Sequence, residues 1–207
     1  MLSKEDIERN KKEFISLIYS IEREFNKDRL IEWLENRSDF FTAPASSKYH
    51  GSYEGGLCNH SLNVYYSLKN LAQNFLSYEI DQEGNQHFKY SEDSLKIVGL
   101  LHDISKANYY EKYFRNVKDE KGNWVQVPEY KVRDDRFIFG SKEQTAEFMV
   151  SNFIPLTVDE RISILHSSGG QAYDSTQTNV ATIFNACELT TLLHTADLLS
   201  TFVLEHD

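Results

Sequence analysis

Apolar residues recur along this chain mostly every three or four positions, and alternate in only two places. Ile7, Phe14, Leu17, Ile18, Ile21 and Phe25 fall at helical spacing and predict an amphipathic first helix. A second short helix is expected over 28–36, entered through Asn26 or Lys27. Residues 38–56, rich in Ser, Gly and Ala and containing Pro44, predict a loop. A third helix runs from about Leu57 to Ser77. Its stripe is Leu57, Val64, Leu68, Leu71 and Phe75, with His60 in the gap on the same face.

Two tracts break the helical period. The turn Asp81-Gln82-Glu83-Gly84-Asn85 predicts that residues 79–90 join two short strands. The second tract has alternating arms around Lys118-Asp119-Glu120-Lys121-Gly122-Asn123 and predicts a β-hairpin closing near Gly140. Between them a fourth helix starts at Ser91 or Glu92 and continues through Leu95, Val98, Leu101 and His102. Further helices are expected over 141–152, 157–167 and 179–205, interrupted by Pro155 and by the Ser-Gly-rich 167–170. The expected fold class is all-α, a helical bundle with one or two small β-hairpin insertions.

Composition fits such a bundle. The 207 residues are 40% hydrophobic and 13% aromatic, with only 9 Gly and 3 Pro, which suits one well-packed domain and excludes collagen-like and disordered chains. No apolar run approaches the roughly 18–20 residues that span a bilayer. The charged N-terminus lacks the apolar stretch of a signal peptide. Two cysteines, Cys58 and Cys187, are too few for a disulfide scaffold and fit a reducing compartment, so a cytoplasmic protein is expected. The net charge of −10 disfavours duplex nucleic acid as a partner. Residues 105–136 nevertheless carry eight basic and six acidic side chains, a locally positive stretch suited to a small anion or simply to a solvated hairpin.

Four short stretches change the picture: Leu57-Cys58-Asn59-His60, Leu100-Leu101-His102-Asp103-Ile104-Ser105-Lys106, Ile164-Leu165-His166, and Leu193-His194-Thr195-Ala196-Asp197. Each sets a His or Asp on a helix face otherwise occupied by aliphatic residues. A buried ionised carboxylate costs several kcal/mol unless it is paired or bound to a metal. Two carboxylates, Asp103 and Asp197, accompanied by at least two imidazoles, point to one divalent cation with mixed nitrogen and oxygen ligands. A hydrogen-bonded structural network is the alternative. Such donors without thiolate suit Mn²⁺, Fe, Co²⁺, Ni²⁺ or Zn²⁺ alike. Adjacent His102 and Asp103 diverge by about 100° on an ideal helix, so both reach one ion only near a helix end. A cation with open positions lowers the pKa of its water, making a nucleophile, and neutralises phosphate charge.

The order His60, His102-Asp103, Asp197 resembles the H…HD…D signature of the HD-domain metal-dependent phosphohydrolases. Leu-Leu-His-Asp-Ile-Ser-Lys is similar to that family's LLHDIGK, and Leu-His-Thr-Ala-Asp to its LHxAD. The hairpin after the HD stretch, with Asn116, Trp124, Pro128 and Tyr130, resembles a bacterial and phage branch. The resemblance covers about residues 55–205. It implies an HD-domain core over 51–207, preceded by an N-terminal helical extension and loop over 1–50 that suits either a homodimer interface or a lid.

By resemblance, His60, His102, Asp103 and Asp197 are the metal ligands, and the substrate is a small phosphorylated molecule, most readily a nucleotide or a nucleotide derivative. Asp103, Lys106 and His166 are the expected catalytic residues. Lys106 is also a substrate-binding candidate, with Arg115, Asn116 and Lys118 of the hairpin. Many relatives carry Gly-His where this chain has Gly140-Ser141, and that histidine belongs to a second metal; one metal ion is therefore expected here. His194 is expected to support the site rather than bind metal, Cys58 to belong to the core, and His50 to be incidental unless it covers the site. A regulatory protein that binds nucleotide with little turnover, and a single-strand nuclease, are the competing functions.

Overall fold

The computed structural model describes residues 2–169 and 180–205. Within these residues the chain forms eight α-helices and two antiparallel hairpins. Helix α1 (Lys4–Tyr19) opens with a reciprocal cap, in which the Ser3 hydroxyl accepts from Asp6 N and the Asp6 carboxylate accepts from Ser3 N. It stops well before Phe25, where the periodicity alone would carry it. Ser20 caps the helix and Ile21 is buried on the turn that follows, so the apolar period outlives the helix. Helix α2 (Lys27–Asn36) is capped by Asn26, as expected.

Helix α3 (Gly56–Phe75) is the spine of the molecule and packs against α1, against α4 (Glu92–Leu101) and against α8 (Glu188–Leu199). Its entry is tight: a Cβ on Gly56 would stand 2.0 Å from the Gly51 carbonyl oxygen, and Gly55 has φ +81°. Helices α3 and α4 also approach too closely for any side chain at Gly99, whose Cβ would lie 2.9 Å from Tyr65 Cα. Phe14, Ile18, Phe40, Leu57, Leu68, Leu100 and Leu193 belong to one continuous core, so residues from the first 50 share it with α3, α4 and α8. Each large side chain buried there contributes about 1.5–3 kcal/mol.

Strands β1 (Tyr78–Ile80) and β2 (Gln86–Phe88) form the first hairpin, and β3 (Tyr110–Lys118) and β4 (Trp124–Val132) the second. Both turn in the same way. Asp81 and Asp119 each accept two backbone N–H groups, at Glu83 and Asn85 and at Lys121 and Asn123, while Gly84 and Gly122 take left-handed φ. Helices α5 (Lys142–Ser151) and α6 (Val158–Leu165) lie within the expected bounds, each opened by a capping box, Ser141 with Gln144 and Thr157 with Glu160.

The expected single helix over 179–205 is instead broken. Residue 179 lies outside the described residues. Helix α7 (Val180–Ala186) ends at Cys187, which is extended, and α8 then gives way to a π-helical turn, Ser200–Leu204. No described helix is long and apolar enough to cross a membrane.

Candidate metal centre

The site lies where α3, the end of α4 and the end of α8 converge. His60 is fully buried in the first half of α3. His102 is the C-cap of α4, and Asp103, with φ −107° and ψ 15°, has already left the helix before a 3-10 turn over Ile104–Lys106. That change of backbone direction lets two adjacent residues address one point, which an unbroken helix forbids. Asp197 comes from the last turns of α8.

The distances are those between neighbouring ligands. His60 Nε2 is 3.2 Å from Asp197 Oδ1 and 3.5 Å from Asp103 Oδ2, and His102 Nε2 is 3.6 Å from the same Asp103 oxygen. Ligands about 2.1 Å from an ion stand about 3.0 Å apart in octahedral and about 3.4 Å apart in tetrahedral geometry. Both Nε2 atoms are buried and make no aligned hydrogen bond among the described residues. Donor atoms of His60, His102 and Asp197 all lie within 4.8 Å of one another. A buried imidazole nitrogen left without a hydrogen bond is costly. Two of them turned toward carboxylates form a group that could hold a metal ion.

The far nitrogen of each ring is fixed. His102 Nδ1 donates to the Gly99 carbonyl at 3.0 Å. His60 Nδ1 faces the Glu205 carboxylate at 3.1 and 3.2 Å, and Glu205 also accepts from Asn63 at 2.9 Å. Such contacts orient an imidazole and present Nε2 to the metal. Glu205 escaped the sequence reading, because the π-turn that carries it onto α3 leaves no mark in an apolar period.

The same contacts set the charges of the metal-free site. Burial works against charge on His60, but the contacts with Asp197 and Glu205 outweigh it and raise its pKa to about 9. Burial lowers that of His102, against the pull of Asp103 and Asp197. Asp103 and Asp197 are desolvated, yet both are held below the usual carboxylate range, Asp103 by Lys106, His102 and His60, and Asp197 by His60. Lys106 Nζ lies 2.6 Å from Asp103 Oδ2, and this contact raises its pKa despite burial.

The other candidates are placed as follows. His166 caps the C-terminus of α6, buried, and that burial lowers its pKa against the pull of Glu143. Ser141 spends its hydroxyl on the cap of α5. His194 Nδ1 meets the Ser167 carbonyl at 2.7 Å and its ring stacks on Phe184, a supporting position. Cys58 is a core residue whose thiol is pushed up by burial. His50 reaches over the site, its ring 5.0 Å from that of His60, and donors of His50, His60 and Glu205 also fall within 4.8 Å of one another. On the hairpin, Arg115 pairs with Glu129 at 2.6 Å, Lys118 lies over the Trp124 ring, and Asn116 is exposed.

No family model matches this sequence, and no curated protein or solved structure matches it.

Proposed function

We propose that this chain is a metal-dependent phosphohydrolase of the HD type, with one divalent ion held by His60, His102, Asp103 and Asp197. The observation that carries the proposal is the pair of buried Nε2 atoms of His60 and His102, without an aligned hydrogen bond among the described residues and set 3.2–3.6 Å from two carboxylates. The order of these residues along the chain supports the same reading. A divalent ion bound there supplies Lewis acidity for attack of water on a phosphate ester.

The protein groups divide the remaining work. Lys106, held charged beside Asp103, would offer a fixed positive charge to a bound phosphate. His166, whose pKa burial lowers, would accept or return a proton. The nucleotide class of the substrate rests on the resemblance alone.

The test is the metal content of protein purified without chelators or a His-tag, beside Asp103→Ala and His60→Ala. About one transition metal per chain, lost from both variants, supports the site and opens a screen of nucleotide esters with that ion. No metal, and none taken up from Mn²⁺, Co²⁺ or Ni²⁺, overturns it.

A further inference from the structure

A cavity of about 390 Å³ lies between α2, the 3-10 turn after α4, the loop before α5 and the end of α5. None of the candidate metal ligands lines it. Its volume falls in the range of small-molecule sites. Three of its walls are aromatic: Trp33 from α2, Phe137 from the loop and Phe153 just past α5. The Trp33 and Phe153 rings are 5.9 Å apart, inclined at 50°, and Phe137 is 59% exposed, its ring 6.1 Å from that of Phe148.

The polar groups there are few and unequal. Arg29, exposed on α2, sits over the Phe153 ring at 5.3 Å and gives one Nη1 bond to the Asn152 carbonyl. Its remaining N–H groups have no partner among the described residues. A second cavity, of about 250 Å³, shares Arg29, Trp33 and Phe153 and adds Glu32 and Arg37, which pair with each other at 3.1 Å. No acidic side chain lines the larger cavity. Ser105, 4% exposed, forms part of its lining, and its hydroxyl has no hydrogen-bond partner.

We propose that this cavity is a binding site for a small planar aromatic anion, with its ring among Trp33, Phe137 and Phe153 and its acidic group on Arg29. Aromatic walls with one guanidinium and no carboxylate in the lining of the larger cavity select that chemistry: the rings favour a π-face, and the guanidinium, paired with no carboxylate among the described residues, favours a carboxylate, sulfonate or phosphate. A neutral aromatic would leave the cation unused, and an aliphatic anion would leave the rings uncovered. The site is independent of the metal centre, although Ser105 belongs to the same turn as Lys106.

Trp33 and Trp124 are the two tryptophans, and Trp124 is exposed on the hairpin, so Trp124→Phe leaves Trp33 as the sole indole reporter. Naphthalene-1-carboxylate and the uncharged naphthalene-1-methanol are titrated by calorimetry, with Trp33 emission followed in the Trp124→Phe protein. The carboxylate is expected to bind saturably at one site per chain, to change Trp33 emission and to bind more tightly than the alcohol. Arg29→Gln is expected to weaken the carboxylate about tenfold and leave the alcohol unchanged. Phe137→Ala, at an exposed wall, is expected to weaken both. Absence of saturable binding, binding without a Trp33 response, or equal carboxylate affinity in Arg29→Gln overturns the proposal.

Discussion

Lys106 Nζ lies 2.6 Å from Asp103 Oδ2, the same oxygen that faces the Nε2 atoms of both His60 and His102. One carboxylate oxygen is thus shared between a lysine and the place where a cation fits. In the absence of metal, Lys106 is the main balance for this charge.

Lys106→Met therefore leaves the partly buried Asp103 carboxylate without its nearest cation, and is expected to destabilise metal-free protein by about 2 kcal/mol. Metal supplies the missing positive charge, so the loss is expected to shrink when Mn²⁺ is added. Thermal unfolding of both proteins with and without Mn²⁺ checks this; an equal loss in both conditions contradicts it.

Glu205 holds Nδ1 of His60, so in the proposed centre it would act on the metal through that ring. Glu205→Gln keeps a polar partner for Nδ1 but removes the charge, and is expected to lower metal affinity about tenfold while the far-ultraviolet spectrum stays unchanged. Competition with a chelating dye measures the affinity. An unaltered affinity would show that the contact with Glu205 is only structural.

Gly99 has no room for a side chain, and its carbonyl holds His102 Nδ1. Gly99→Ala is expected to push α4 away from α3 at a cost of about 1–3 kcal/mol. The same displacement moves His102, so metal binding is expected to weaken as well. Urea unfolding and the dye competition report the two effects separately.

Arg23 ties the segment after α1 to α6. It meets both oxygens of the buried Glu160 at 2.7 Å, and Thr157 N donates to the same carboxylate. Burial pushes the Glu160 carboxyl up, but Arg23 and the Thr157 N–H outweigh it and hold the carboxyl below its ordinary value of 4.5. The stability this gives is fully present above pH 4.5 and is lost as pH falls through the lower, folded value. Glu160→Gln is expected to cost about 2 kcal/mol at pH 7 and to flatten the fall in urea midpoint below pH 4.5. An unchanged pH profile would assign the acid sensitivity to other carboxylates.

Much of this was legible in the sequence, for physical reasons. Periodicity exposed α3 because it presents an apolar stripe to the core, residues such as Asn26, Ser91 and Pro155 marked where helices begin or break, and the turns at Asp81 and Asp119 announced both hairpins. His60 and His102 stood out because an imidazole in an aliphatic stripe needs a reason. The missing features are those where backbone geometry departs from the period. The stripe of the last helix continues across Cys187, so the break there was invisible, and the π-turn shifts Glu205 out of any α-helical register. Gly99 gave only an ordinary glycine in a helix, and its close contact depends on where Tyr65 lies. His50 sits in a loop with no period at all.

The donors at the centre come from residues 60, 102 and 197, so they are neighbours in space and remote along the chain. A cation joining them acts as a clasp across most of the sequence, closing long loops whose entropy is otherwise lost only when the whole core assembles. Binding of an ion there would add its free energy to the stability of a core that already assembles without it. Native-state hydrogen exchange would register this as α3, α4 and α8 slowing together when the ion is added, rather than as protection confined to the residues that touch it.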